Sequence, residues 1–110
     1  MSKVLAGPYD PPYYAVVFSS IRREIEGEEY GAAAEWMEEL ASGQPGFLGF
    51  ESVREPSGFG ITVSYWVDLE SVSAWGKHAD HAGVQRLGRE RWYAEYRLRV
   101  CRVEEERSGP

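Results

Sequence analysis

His78 and His81 are the only histidines of this 110-residue chain and lie three residues apart. On a helix that spacing places both on one face. An imidazole titrates near neutral pH, so either is a candidate general base for a weakly acidic substrate proton. Asp80 between them adds a third potential ligand, but three side chains this close on a helix do not all point inward. No metal site is therefore expected. Arg86 follows, a fixed positive charge that can stabilise a developing anion in a dry site. Its competing role is an ion pair with Glu90 one turn later, worth about 0.2–0.5 kcal/mol. A second set alternates along a β-rich segment. Gly60, Thr62, Ser64 and Trp66 share one face, while Phe59, Ile61, Val63, Tyr65 and Val67 share the other. A face of small and hydroxyl residues that ends in Trp is an odd core face and a reasonable cavity wall. Trp66 can stack an aromatic ring, and Thr62 and Ser64 can orient a hydroxyl.

These groups must be held by the elements around them. Residues 1–12 are punctuated by Gly7, Pro8, Pro11 and Pro12 and read as an irregular arm. Tyr13–Ile21 is apolar on both faces, which predicts a central strand. Tyr30, Ala33, Ala34, Met37, Leu40 and Ala41 follow helical spacing, stopped by Gly43 and Pro45. Residues 47–55 and 59–67 read as strands joined by a Pro56-Ser57-Gly58 turn. Asp68 is a candidate N-cap for a helix in which Leu69, Val72 and Trp75 recur. A less regular helical stretch over 80–93 carries Gly83 and Gly88. Residues 96–103 alternate, with Tyr96, Leu98 and Val100 on one face and Arg97 and Arg99 on the other. The order strand, helix, strand, strand, helix, strand is the ferredoxin-like split. Its two helices cover one face of the sheet and leave the other to find a cover.

Composition removes several classes. The formal charge is −6, which disfavours phosphate backbones, so no nucleic-acid partner is expected. Fifteen aromatics, 14% of the chain, exclude disorder and exceed the needs of one small core. No apolar run reaches the ~18–20 residues of a membrane helix, and no signal-like segment opens the chain. The expectation is a cytoplasmic protein with no membrane partner. The single Cys101 cannot make an internal disulfide and reads as a buried structural thiol. Six of the ten arginines fall between 86 and 102, which reads as charge balance for the acidic first helix.

Three segments resemble the antibiotic biosynthesis monooxygenase family of dimeric α+β barrels: Gln44-Pro45-Gly46-Phe47-Leu48-Gly49, Ile61-Thr62-Val63-Ser64-Tyr65-Trp66, and the helix from Leu69 to Trp75. The resemblance spans 13–103. It implies a homodimer built face to face, with a pocket in each subunit between sheet and helices. It also implies oxidation of electron-rich aromatics by O2 without metal, flavin or haem, hence no cofactor. Trp66 matches the quinone-forming branch, and Arg86 corresponds to its arginine. Thr62 stands where that branch has Asn, and Val72 where it has Tyr. Trp75 matches the tryptophan of a haem-degrading branch. Gln85 stands where that branch has its histidine ligand, which argues against haem.

The resulting expectation is an α+β fold, ferredoxin-like βαββαβ with a four-stranded antiparallel sheet in a dimeric barrel. An arm over 1–12, one domain over 13–104 and a flexible tail over 105–110 divide the chain. The expected activity is cofactor-independent monooxygenation of a small aromatic or hydrophobic substrate. His78, His81 and Arg86 are the catalytic candidates, with Thr62, Ser64, Trp66 and Trp75 in substrate binding. The alternative is a non-catalytic small-molecule-binding or stress-associated dimeric barrel.

Overall fold

The computed structural model describes residues 5–23, 37–81 and 92–110, with the backbone alone at 80 and 81. Strand β1 (Tyr13–Arg22) is followed by helical residues 37–42 (α1), strands β2 (Phe47–Arg54) and β3 (Phe59–Trp66), helix α2 (Leu69–His81) and strand β4 (Tyr93–Val103). The sheet is fully antiparallel in the order β2-β3-β1-β4. The fold is a ferredoxin-like α+β arrangement. As the doubly apolar pattern of β1 predicts, that strand is central, and Tyr13, Ala15 and Val16 are buried.

Local chemistry explains the boundaries. The first described helix ends at 42, before Gly43, and Gln44 N–H closes its last turn on the carbonyl of Ala41. Gly46 has φ +84°, and a Cβ there would lie 2.0 Å from Ser71 Oγ. Glycine is needed at this point for both conformation and space, because the loop presses against the first turn of α2. Its carbonyl accepts from Val67 N–H at 2.9 Å, tying the start of β2 to the end of β3. The β2–β3 hairpin turns through Pro56, Ser57 and Gly58, the last with φ +103°. Asp68 caps α2, with Oδ1 accepting from Ser71 N–H at 2.8 Å. Hydrogen bonds from the Ser71 side chain and N–H hold that carboxyl below the usual range. β4 starts three residues before the alternation at 96–103 suggests. A register shift at Ile21/Arg22 lets Tyr93 pair with Arg22, and the Tyr93 ring meets Phe18 at 5.1 Å.

Paired residues on antiparallel strands share a face. One face carries Tyr14, Val16, Phe18 and Ser20 of β1 with Trp66, Ser64, Thr62 and Gly60 of β3. The core forms here, where Val16, Ala41 and Trp66 pack with Phe47, Val72 and Trp75. The other face carries Ala15, Val17, Ser19 and Ile21 with Tyr65, Val63, Ile61 and Phe59, and Arg97 and Arg99 beside them. Cys101, opposite Ala15 on the edge strand β4, is exposed rather than buried as the sequence suggests. Tyr9 of the arm folds onto one end of this second face. Its ring meets Tyr13 at 5.5 Å and Tyr65 at 5.9 Å. Glu106 accepts from Tyr9 N–H and, at 2.5 Å, from the Tyr13 hydroxyl. These bonds cross the domain–tail boundary expected at 104/105. Most of the Tyr30–Ala41 helical stripe and most of the 80–93 stretch lie outside the described residues.

Candidate functional site

The helix-facing side of the sheet can be read as four rows crossing all strands. The first holds Arg54, Gly60, Ser20 and Tyr96; the second Ser52, Thr62, Phe18 and Leu98. The third holds Phe50, Ser64, Val16 and Val100; the fourth Phe47, Trp66, Tyr14 and Arg102. Along β3 the rows run from Gly60 through the hydroxyls of Thr62 and Ser64 to Trp66, with Ser52 beside Thr62 and the larger Phe18, Phe50 and Leu98 flanking them on the other strands. This follows from the period-2 placement of Gly60, Thr62, Ser64 and Trp66 on a central strand.

At the tryptophan end Trp66 is fully buried. Its indole Nε1 donates to Ser64 Oγ at 2.9 Å. Trp75 stacks on it with centroids 5.9 Å apart and 22° between planes, and Phe47 meets it edge-on at 5.3 Å. Trp75 is half-buried and presents the accessible part of this aromatic wall. His78 is exposed, its ring 6.2 Å from that of Trp75, one helical turn away. Midway along the floor, Thr62 Oγ1 and Ser52 Oγ share a hydrogen bond of 2.7 Å. In such a pair one hydroxyl donates to the other, and the second keeps a proton to offer a ligand.

The structure thus brings Trp66, Trp75 and Ser64 into one contact chain, with Thr62 one row further on and His78 at its rim. The side chain of His81 and all of Arg86 and Gln85 lie outside the described residues. Sequence reasoning missed Ser52, Phe18, Tyr96 and Arg54. Arg54 reaches across Gly60, and its guanidinium donates to Ser20 Oγ at 2.7 Å and to the carbonyl of Gly58. The hairpin offered a signal: a three-residue turn sets Arg54 opposite a glycine.

The opposite face has different electrostatics. Burial, then a hydrogen bond to Glu106, pushes the Tyr13 phenol up to about 12. Burial and a 2.6 Å bond to Glu51 raise Tyr65 as well. These phenols are held protonated and act as donors.

Residues 12–87 match the sequence model of the antibiotic biosynthesis monooxygenase family. The chain belongs to this family. The chain is 47% identical over 107 residues to the uncharacterized protein YqjZ of Bacillus subtilis, covering 97% of this chain and 93% of that one. Among solved structures it is similar to a mutant form of SnoaB, a cofactor-independent oxygenase from Streptomyces nogalater. That match has TM-score 0.75 and 11% identity, over 87% of this chain and 97% of SnoaB. Rv0793 from Mycobacterium tuberculosis matches with TM-score 0.74 and 11% identity, over 87% and 99% of the two chains. A dimeric ferredoxin-like protein of unknown function from Thermobifida fusca matches with TM-score 0.68 and 9% identity, over 90% and 99%. At these identities the structural matches establish the fold of this monooxygenase-family chain. Among its described residues no helix is long and apolar enough to cross a membrane.

Proposed function

We propose that this chain is a cofactor-independent monooxygenase acting on a small electron-rich hydroxyarene held on the helix-facing side of its sheet. The observation that carries this reading is the hydroxyl floor of Thr62, Ser52 and Ser64 running up to the Trp66–Trp75 stack. Such a surface is apolar enough for a ring and polar enough to orient its hydroxyl. In this proposal Trp75, backed by Trp66, contacts the ring, and Thr62 and Ser64 bond the substrate oxygen. His78 or His81 takes the phenolic proton, and Arg86 stabilises the resulting anion and the peroxide formed next. The substrate supplies the electrons. With 1-naphthol, O2 adds at the carbon para to the oxygen, and loss of water leaves 1,4-naphthoquinone. One O2 is consumed for one quinone and one water.

The test is 1-naphthol turnover followed by oxygen electrode and quinone absorbance, run aerobically and anaerobically. Oxygen uptake matched by quinone formation supports the reading; identical outcomes with and without O2 refute it. The full burial of Trp66 favours a second reading, a non-catalytic small-molecule-binding or stress-associated barrel. That reading expects naphthol binding with no oxygen uptake.

A homodimer through the second sheet face belongs to the same proposal. Ile21 and Phe59 remain 43% and 44% exposed there, beside Arg97 and Arg99, and exposed apolar patches of this kind mark interfaces. Light scattering at micromolar concentration should give twice the chain mass, and a monomer mass contradicts it.

A further inference from the structure

We infer that the apolar strip of Phe18, Leu98 and Val100 is a tail subsite of the floor, selecting hydroxyarenes that carry a short alkyl chain meta to their hydroxyl. This rests on the oxygenase reading above and names the substrate class of the same site. Phe18 pairs with Leu98 and Val16 with Val100, so these side chains share the helix-facing side with Thr62 and Ser64. From β3 across the sheet, two neighbouring rows repeat one order of chemistry. Thr62 gives way to Phe18 and then Leu98, and Ser64 to Val16 and then Val100. Hydroxyls on β3 thus lead to hydrocarbon on β4. Val16 is buried in the core, whereas Leu98 and Val100 keep 48% and 47% of their surface open. Two large apolar side chains at successive positions of one face make a patch rather than a scattered exposure, and such patches mark binding surfaces.

The patch is bounded. Tyr96, tilted against Phe18 with centroids 5.5 Å apart, stands beyond Leu98. Arg102, ion-paired with Glu104 at 3.0 Å, stands beyond Val100. The window between them is two rows wide and uncharged on this side, because Arg97 and Arg99 belong to the opposite face. Its occupant is the apolar edge of a ligand whose oxygen sits on the hydroxyls, since floor and strip are one continuous surface. Neighbouring strands lie about 4.7–4.9 Å apart, which puts Leu98 and Val100 about 10 Å across the sheet from Thr62 and Ser64. A single ring bonded to those hydroxyls covers β1 and stops short of β4. An alkyl chain on that ring continues over Leu98 and Val100 and removes their surface from water. The chain cannot be para to the oxygen, because that carbon takes up O2 in the reaction proposed above. A meta chain leaves it free.

The experiment titrates the full chain calorimetrically with phenol and its 3-ethyl, 3-propyl, 3-pentyl and 3-heptyl derivatives. Affinity should rise about twofold to fourfold per methylene up to pentyl. It should level off at heptyl, where the added carbons pass the edge strand. Leu98→Thr combined with Val100→Thr keeps β4 rich in strand-favouring residues and should remove most of that rise. Val53→Thr, on the opposite face and 70% exposed, should leave the rise intact. Thermal melts and light scattering accompany each variant. No rise with chain length, or a rise that survives the double variant, overturns the assignment. A strip that seats a second copy instead would show as a lower mass for the double variant with the rise unchanged. If 1-naphthol is oxidised but methylenes add no affinity, only the tail subsite falls. If the rise depends on Leu98 and Val100 but 1-naphthol is not oxidised, the subsite stands and the oxygenase reading falls. If neither the phenols nor 1-naphthol bind, both fall.

Discussion

Replacing Ser64 with alanine removes the acceptor of an indole N–H that has no access to water. Trp66 is fully buried, and its Nε1 lies 2.9 Å from Ser64 Oγ. A buried donor deprived of its partner costs about 1–3 kcal/mol. Against a domain stability of about 5–15 kcal/mol, that is a large share of the total. For a chain of this size it corresponds to a fall in Tm of roughly 5–15 °C. The cost belongs to the donor, so it should vanish when the donor is absent. Ser64→Ala introduced into a Trp66→Phe background is expected to cost less than about 0.5 kcal/mol, a coupling of at least about 1 kcal/mol. Urea denaturation of the wild type, both single variants and the double variant at one fixed protein concentration measures it. Thr62→Ala serves as the control. Its hydroxyl partner Ser52 is exposed, so the expected loss is about 0.5–1 kcal/mol. A Ser64→Ala cost that is equal in both backgrounds would refute the claim that this bond fixes the tryptophan.

Other perturbations test separate parts of the structure. Gly46→Ala forces a side chain at φ +84° against Ser71 and should destabilise by more than about 2 kcal/mol, seen as a lower urea midpoint. Glu106→Ala removes the acceptor shared by Tyr9 and Tyr13; limited proteolysis should then cut within residues 5–12 faster, with the sheet intact. The Tyr13 phenol stays neutral in the folded chain up to about 12, whereas the unfolded chain ionises near 10. Its contribution is complete below pH 10 and is lost as pH rises from about 10 to 12. Absorbance titration at the tyrosinate band should show Tyr13 and Tyr65 ionising after ordinary tyrosines, and Glu51→Gln should bring Tyr65 down.

The strand faces were legible because β3 alternates from Phe59 to Tyr65 between large apolar and small or hydroxyl residues, and pairing with β1 follows that alternation. The Asp68 cap and the Gly58 turn were legible because each depends on neighbours within three residues. Contacts between distant segments were not. The Tyr9–Glu106 bonds join positions 97 residues apart, and no local pattern in the proline-rich arm signals them. The face of Trp66 was readable, but not its complete burial, which depends on Phe47, Val72 and Trp75 closing around it. Arg54 was half legible: the hairpin sets it opposite Gly60, while Ser20 comes from a strand some thirty residues earlier.

The most direct test of oxidation at this floor is a single turnover of 1-naphthol under isotopically labelled oxygen, with the quinone read by mass spectrometry. Quinone carrying one labelled oxygen atom is expected, formed by the purified chain without added cofactor and suppressed in Thr62→Ala combined with Trp75→Leu. Unlabelled quinone, or product formed equally well by that double variant, would contradict it.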